Sequence, residues 1–326
     1  MLRIIYMGTP QFAVPALEAL IAHAAPGDLL PEGYEIVTVI TRPDKPAGRG
    51  REIVYSPVKQ CALQHQIPVW QPGSLKKVAN SEALADYKAD LFIVAAFGQI
   101  LPQTVLDQPR YGTLNIHASL LPKYRGADPI AESILQGDKE TGTSIMLLDA
   151  GVDTGPVLLR RSLEISDDDT TSSLTPKLAE IGAQALLEAL PAWIGGSVTP
   201  EPQDEQKASH TRMLRKEDGE IDWGRPASVI ARQVRAYTPW PSAYSYWQGK
   251  LLKVLKAQAQ VSVADKEIVP GIAGVREIAG HRTLVVATSS GILAIQQLQL
   301  EGKKAMSAEE FLRGYAQIAG QRLGKP

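Results

Sequence analysis

The segment Leu2-Arg-Ile-Ile-Tyr-Met-Gly-Thr-Pro10 decides the fold of the N-terminal half. Its apolar run predicts a strand, its Gly-Thr-Pro sequence predicts a tight turn, and an amphipathic helix is predicted over Phe12–Ala24. A second strand is predicted at Tyr34–Thr41, and strands then continue to alternate with helices as far as Leu190. This alternation predicts an α/β domain built on a Rossmann-like, doubly wound parallel sheet.

Ligands of such sheets bind beyond the carboxyl ends of the strands. Gly8, Gly98, His117 and Asp149 are predicted at or just after such ends. The sequence Gly8-Thr-Pro-Gln-Phe12 lacks the G-x-G-x-x-G fingerprint of dinucleotide binding, and no acidic residue closes the second predicted strand. We therefore exclude a nicotinamide-dependent enzyme.

Asn115 and His117 are the strongest candidates for chemistry in the predicted sheet. They alternate with apolar residues in a predicted strand, so they face the same side of it. An amide can stabilise a developing oxyanion, and an imidazole can move protons near neutral pH. A carboxylate from elsewhere, such as Asp153, could orient the imidazole and favour its charged form. An Asn-x-His pair alone is more often part of a turn or a satisfied polar group than of an active site.

The second half has a different pattern. Residues 195–210 are rich in Gly, Pro, Ser and polar residues and predict a linker. Short strands separated by turns follow, from Ala243–Trp247 to Ile292–Leu300, and predict a small C-terminal β-barrel of the oligonucleotide-binding type. We therefore expect a catalytic domain over residues 1–194, a linker over 195–210 and a barrel domain over 211–326.

Composition and charge limit the possible classes of protein. The chain has 326 residues, of which 44% are hydrophobic and 21% are charged, and its single cysteine, Cys61, excludes an intrachain disulfide. We find no signal peptide and no membrane-spanning run, so we expect a cytoplasmic protein. Residues 207–326 carry a balance of +8 and residues 1–206 a balance of −9. This asymmetry suggests an anionic partner for the second half, although a role in solubility alone fits equally well.

With these features in place, the chain resembles the methionyl-tRNA formyltransferase family over nearly its whole length. Eight motifs appear in the family's order, which makes the resemblance highly specific. They are Met7-Gly-Thr-Pro10, Pro43-Asp-Lys-Pro-Ala-Gly-Arg-Gly50, Ser56-Pro-Val-Lys59, Ala96-Phe-Gly-Gln-Ile-Leu-Pro102, Asn115-Ile-His-Ala-Ser-Leu-Leu-Pro122, Asp153-Thr-Gly155, Ile221-Asp-Trp223 and Gln299-Leu-Glu-Gly-Lys-Lys304.

The resemblance implies a formyltransferase fold and a reaction. The family transfers a formyl group from 10-formyltetrahydrofolate, its cosubstrate, to the methionine amino group of initiator methionyl-tRNA, for translation initiation. Asn115, His117 and Asp153 match its catalytic trio. The expected folate contacts are Ser119, Leu120, Leu121, Pro122, Phe97, Gly98, Ile100 and Asp149, although packing is an alternative role for Phe97 and capping of a turn for Asp149.

The resemblance also assigns a role to the basic loop after the second strand. Arg49 occupies the position of the family's key loop arginine, and Arg42, Lys45 and Arg51 lie on the same loop. We expect these residues to contact the tRNA. No metal ligand set is visible in the sequence, and we expect no metal, no membrane partner and a monomer.

Two positions depart from the family pattern. Asp128 stands where a small apolar residue is usual, and Met213 stands where a lysine is usual. The first could perturb the charge of the pocket, and the second puts one contact to the linker or the tRNA in doubt.

Two competing functions remain at this stage. Formyltransferases that act on glycinamide ribonucleotide or on amino-sugar nucleotides, and related hydrolases, share the catalytic domain. The glycinamide ribonucleotide enzymes typically lack a C-terminal barrel, whereas this chain has about 120 further, basic residues. An RNA-binding module without activity is disfavoured by the intact trio.

Overall fold

The protein forms two compact units. The computed structural model describes residues 1–47, 52–260 and 269–325. Within the described residues, the first unit comprises Met1–Pro129, Glu140–Glu164 and Thr175–Thr211, and the second comprises Ile130–Lys139, Ile165–Leu174 and Arg212–Pro326.

The secondary structure follows the predicted alternation closely in the first half. The strands are β1 (Leu2–Gly8), β2 (Tyr34–Ile40), β3 (Lys45–Ala47), β4 (Glu52–Val54), β5 (Val69–Trp70), β6 (Leu91–Ala95), β7 (Thr113–His117), β8 (Arg125–Gly126), β9 (Glu140–Leu147), β10 (Val157–Glu164), β11 (His210–Thr211), β12 (Ala243–Trp247), β13 (Lys250–Gln260), β14 (Ala273–Ile278), β15 (His281–Ala287), β16 (Ile292–Leu300) and β17 (Met306–Ser307). The helices are α1 (Val14–Ala22), α2 (Pro57–Gln64), α3 (Val78–Ala85), α4 (Gln103–Leu106), α5 (Pro129–Gln136), α6 (Thr171–Ile194), α7 (Ala227–Ala236) and α8 (Ala308–Gly314). Within these described residues, no helix combines the length and apolar character needed to cross a bilayer.

The main sheet of the first unit has the order β10-β9-β7-β6-β1-β2-β5. Strands β7, β6, β1, β2 and β5 run parallel, which confirms the predicted doubly wound α/β class. The chain builds outward from β1 through β2 to β5 and then continues on the other side with β6. The direction in which strands are added therefore reverses between β1 and β6. Such a topological switch point is the place where doubly wound sheets bind ligands.

One edge of this sheet was not predicted. Strand β9 pairs antiparallel with β7, and β10, which was not predicted from the sequence, pairs antiparallel with β9. The turn from β9 to β10 contains no helix, and such a short connection joins antiparallel neighbours rather than parallel ones. That turn carries Asp153.

The alternation of side chains in β1 divides the core of the first unit between the two faces of the sheet. Ile4 and Tyr6 pack in one buried cluster with residues of α1 and α6. Ile5 and Met7 pack in a second cluster with Phe92 of β6. Burial on both faces explains the nearly continuous apolar run of β1, as is usual for a parallel strand.

The second unit contains an antiparallel sheet of order β12-β13-β16-β15-β14, with β17 paired to β16. This agrees with the barrel-type domain expected from short, turn-bounded strands. Helix α8 was not predicted, although its start has a recognisable signal. Ser307 and Glu310 form a capping box, in which each side chain accepts a hydrogen bond from the other residue's backbone N–H.

Gly142 of β9 provides a test of the packing behind the predicted folate loop. A Cβ added there would lie 2.2 Å from the Arg161 carbonyl oxygen and 2.5 Å from Leu120 Cδ2. We therefore expect Gly142→Ala to lower the free energy of unfolding by about 1–3 kcal/mol, the usual cost of overpacking. Gly274→Ala is the control, because its added Cβ would meet Val285 at an ordinary 3.6 Å. Calorimetry should show a lower Tm for the first variant only, and equal Tm values would contradict this account.

Candidate active site

The predicted trio is assembled at the carboxyl edge of the main sheet. Asn115 and His117 lie on β7 and are only 8% and 6% exposed. Asp153 reaches them from the β9–β10 turn. Its carboxylate accepts a hydrogen bond from Asn115 Nδ2 through Oδ1 at 3.4 Å, and its Oδ2 lies 3.5 Å from His117 Nδ1. The structure therefore brings Asn115 and His117 together with a carboxylate that lies 38 positions after Asn115 in the sequence.

Backbone groups fix the orientation of the His117–Asp153 pair. The Gly126 N–H donates to Asp153 Oδ2 at 2.8 Å, and the Tyr124 carbonyl oxygen lies 2.9 Å from His117 Nε2. Both ring nitrogens therefore face oxygen acceptors. These contacts orient the ring, with Nδ1 toward the Asp153 carboxylate and Nε2 toward the Tyr124 carbonyl oxygen.

The loop after β7 is fixed by buried hydrogen bonds. The Ser119 hydroxyl donates to the Lys123 carbonyl oxygen, and the Leu121 N–H donates to Ser144 Oγ at 3.1 Å. Ser119 and Leu121 are buried, whereas Leu120 and Pro122 are partly exposed. A ligand would therefore meet Leu120 and Pro122, whereas the buried Ser119 and Leu121 support the loop from within.

The segment that follows β6 separates into buried and open residues. Phe97 is 2% exposed and packs in the core cluster on one face of the sheet, so its side chain has the packing role that was its alternative. Gly98 is exposed, and Ile100 has 59% of its surface exposed. Ile100 thus offers an apolar surface beside the switch point, suited to a flat heteroaromatic ring.

Asp149 caps the turn that carries Asp153. Its Oδ1 accepts hydrogen bonds from the Gly151 N–H at 3.0 Å and from the Thr154 hydroxyl at 2.7 Å. The capping role is therefore present in the structure. The carboxylate is also exposed, so a contact with folate stays a prediction.

Of the four residues predicted to bind tRNA, the structure describes two, Arg42 and Lys45. The Arg42 N–H donates to Thr9 Oγ1 at 3.3 Å, and its Nη1 lies 3.5 Å from where a Cβ of Gly98 would be. Arg42 therefore lies beside the switch point of the sheet. Lys45 is exposed at the start of β3, and Arg49 and Arg51 lie outside the described residues.

Several residues of the site had no signal in the sequence analysis. Tyr124 and Gly126 act through backbone groups, so their side-chain types do not reveal the role. Gln203 donates from Nε2 to the carbonyl oxygens of Asp153 at 2.8 Å and Gly155 at 2.6 Å. It belongs to the stretch that was predicted to be a linker, yet it contacts the turn that bears Asp153.

The two departures from the family pattern do not displace the trio. Asp128 is exposed and has a backbone φ of +55°, and Met213 has 72% of its surface exposed. Among the described residues, no three His, Cys, Asp or Glu side chains are grouped so as to hold a metal ion.

Comparison with known proteins decides the family. A family model described as formyl transferase matches residues 2–190, and one described as formyl transferase, C-terminal domain, matches residues 213–316. The chain belongs to the formyl transferase family.

Close relatives of this formyl transferase share its full length. It is 45% identical over 325 residues to a methionyl-tRNA formyltransferase of Citrifermentans bemidjiense, covering 99% of this chain and 97% of the relative. It is also 45% identical to a methionyl-tRNA formyltransferase of Methylococcus capsulatus, covering 99% of this chain and all of the relative. These relatives confirm the resemblance that the motifs indicated.

Solved structures share the fold of this formyl transferase. An N-formyltransferase from Helicobacter canadensis, in complex with folinic acid and dTDP-3-aminofucose, matches with a TM-score of 0.64 and 19% identity, covering 90% of this chain and 98% of that chain. HypX from Aquifex aeolicus, in complex with tetrahydrofolic acid, matches with a TM-score of 0.58 and 18% identity, covering 97% of this chain and 47% of that chain. At these identities the match extends to the fold alone.

Proposed function

We propose that this chain transfers the formyl group of 10-formyltetrahydrofolate to the free amino group of methionine on initiator methionyl-tRNA. The observation that carries the proposal is the 45% identity, over 99% of the chain, to relatives that bear the name methionyl-tRNA formyltransferase. The geometry agrees with it, because an amide, an imidazole and a carboxylate meet at the carboxyl edge of the sheet, where this fold binds ligands.

The reaction requires no covalent bond to the enzyme. The lone pair of the methionine amine forms the new C–N bond to the formyl carbon, and the electrons of the carbonyl double bond move onto oxygen. When the carbonyl re-forms, the bond to folate N10 breaks, and the proton lost by the amine is balanced by the proton gained at N10. The protein therefore has to stabilise charge on the oxygen and to orient two substrates.

We assign the stabilisation of the oxyanion to Asn115 and His117. Asn115 Nδ2 uses one N–H on Asp153, which leaves its second N–H as a donor for the substrate oxygen. His117 lies on the same face of β7, with its ring held between Asp153 and the Tyr124 carbonyl oxygen. Asp153 acts on both, because its two carboxylate oxygens face the two side chains.

We assign the folate-binding site to the surface between the loops that follow β6 and β7. Gly98 and the exposed Ile100 form one side, and Leu120 and Pro122 form the other, with Ser119, Leu121 and Phe97 supporting them from the core. An apolar surface with a few fixed polar groups is typical of sites for small heteroaromatic ligands.

We assign tRNA binding to the basic loop after β2 and to the second domain. Residues 1–194 would then be catalytic, and residues 211–326 would bind tRNA with the excess of Lys and Arg already noted. Contacts of Lys and Arg with phosphate give an affinity that falls steeply as salt rises. The protein would act as a cytoplasmic monomer.

Arg49→Ala tests the assignment of the basic loop. We expect kcat/KM for methionyl-tRNA to fall by an amount equivalent to about 1–3 kcal/mol, the usual value of a specific arginine contact to nucleic acid. The Kd for folate should stay at the wild-type value. Both constants are measured on one preparation, and a weaker folate affinity with unchanged tRNA kinetics would assign the loop to the other substrate.

An acceptor comparison distinguishes the proposed function from its rivals. The full chain and 10-formyltetrahydrofolate are incubated separately with initiator methionyl-tRNA, glycinamide ribonucleotide and an amino-sugar nucleotide. We expect formylation of the charged tRNA alone. A higher kcat/KM for either small amine would refute the proposal, and release of formate without an acceptor would identify a hydrolase.

A further inference from the structure

Gln203 connects the turn that bears Asp153 to a buried arginine. The two N–H groups of its side-chain amide serve the carbonyl oxygens of Asp153 and Gly155. Its Oε1 accepts a hydrogen bond from Arg125 Nε at 3.0 Å. The amide is therefore bound at both ends, and its position depends on where Arg125 lies.

Arg125 is itself held rigidly. Its side chain is 1% exposed and forms a bidentate pair with Glu205, with Nη2 at 2.7 Å from Oε1 and Nη1 at 3.0 Å from Oε2. Hydrogen bonding to Glu205 raises the pKa of the Arg125 guanidinium, although burial lowers it. Glu205 is itself 71% exposed, so it is the bidentate geometry of the pair that fixes the guanidinium beside Gln203.

The segment that follows Gln203 and Glu205 also supports the backbone groups that contact His117 and Asp153. Strand β11 pairs with β8, so His210 lies beside Arg125 and Thr211 beside Gly126. Ser209 Oγ accepts a hydrogen bond from the Tyr124 N–H at 2.9 Å. The Tyr124 carbonyl and the Gly126 N–H, which face His117 and Asp153, are thus both supported by residues 209–211.

The turn that bears Asp153 needs this support. Asp153 has a φ of +52°, in the left-handed region, which costs a residue with a side chain up to about 1–2 kcal/mol. At Gly155 the chain passes so close to β9 that an added Cβ would lie 1.9 Å from the Leu147 carbonyl oxygen. Such a conformation persists only where surrounding contacts fix it, and Gln203 binds the carbonyls of both residues.

We infer that Gln203 is a positioning residue for Asp153, and that the Arg125–Glu205 pair holds it in place. The inference rests on the proposed function. Gln203 contacts no reacting atom. It fixes the backbone of Asp153 so that one carboxylate oxygen meets the Gly126 N–H and faces His117, while the other faces Asn115.

The test replaces Gln203 in the full-length protein in two ways. Gln203→Leu removes all three hydrogen bonds, and Gln203→Glu keeps the acceptor for Arg125 but removes both donors to the turn. Gln206→Leu is the matched control, because it changes the same residue type on the same segment at an exposed position. Within the part of the chain that the structure describes, the Gln206 side chain has no hydrogen-bond partner. A Tm within a few degrees of the wild type identifies the folded variants to be compared.

We expect both Gln203 variants to lower kcat for formylation about 10- to 100-fold, since misplacement of catalytic groups by about 1 Å can cost 10²-fold. The KM values for methionyl-tRNA and for 10-formyltetrahydrofolate should stay within twofold of the wild type, and Gln206→Leu should have no effect. A raised KM with unchanged kcat, or wild-type kinetics in a folded variant, would overturn the inference.

A double-mutant cycle separates positioning from a general structural role. If Gln203 acts through Asp153, adding Gln203→Leu to Asp153→Asn should change the remaining single-turnover rate by less than about twofold. A further loss as large as in the wild-type background would show that Gln203 acts by another route and would overturn the inference.

Hydrogen–deuterium exchange gives a measurement that does not depend on activity. Peptides that cover residues 148–157 should exchange faster in both Gln203 variants than in the wild type and in Gln206→Leu. If the wild type formylates no tRNA but the exchange changes as expected, the proposed function fails and the support of the turn stands. If the wild type is active but these peptides exchange equally fast in the wild type and in the Gln203 variants, the inference about Gln203 fails and the proposed function stands.

Discussion

Replacing Asn115 with alanine should lower kcat for formylation of methionyl-tRNA about 10²–10³-fold, the typical cost of losing one donor to an oxyanion. Asn115 lies on β7 and is 8% exposed, and its side-chain amide donates a hydrogen bond to Asp153. The Kd values for folate and tRNA should change little, because the lost N–H interacts with charge that develops only during the reaction.

The Asn115 prediction is measured by single-turnover formylation, with binding assays on the same preparation. Asn80→Ala is the control for the chemistry of the amide, because Asn80 lies in helix α3 and donates to the Ser74 carbonyl oxygen. Near wild-type turnover in a folded Asn115→Ala protein would remove this residue from the catalytic trio.

His117→Ala should have a comparable or larger effect. We expect kcat to fall by about 10²–10⁴-fold, which is the usual range for the loss of a general acid–base group. The imidazole is 6% exposed and lies between the Tyr124 carbonyl oxygen and the Asp153 carboxylate. Its removal also leaves the Asp153 carboxylate without the ring nitrogen that faces it, next to the place where the oxyanion forms.

His65→Ala is the control for the His117 prediction. His65 is exposed at the end of α2, and its substitution should leave kcat unchanged. Binding of both substrates is measured for each variant. If His117→Ala raised KM and left kcat intact, His117 would be a binding residue and the assignment of the oxyanion site would be wrong.

The fold of the first unit could be predicted because its signals are local. The apolar run of β1 is buried on both faces, and Ser56 caps α2 by accepting a hydrogen bond from the Lys59 N–H at 3.2 Å, as Ser-Pro at a helix start predicts. The i, i+2 spacing of Asn115 and His117 was enough to place them on one face of β7. The motifs then identified Asp153 as their partner.

The rest of the site could not be predicted from patterns of this kind. Residues 203–210 have no hydrophobic periodicity, and the Gly, Pro, Ser and polar residues of the stretch 195–210 predicted a linker. Their contacts run from side-chain amide to carbonyl, as at Gln203, or from backbone to hydroxyl, as at Ser209. Neither kind of contact leaves a periodic pattern in the sequence, so only the folded chain reveals it.

The central claim is that this chain moves a formyl group from folate to the methionine of a charged initiator tRNA. The most direct test is a single turnover with enzyme in excess over 10-formyltetrahydrofolate labelled in its formyl carbon, followed by deacylation of the tRNA and mass spectrometry. We expect one labelled N-formylmethionine for each tetrahydrofolate released. Release of tetrahydrofolate with the label in formate, or in any acceptor other than the methionine amine, would contradict the account.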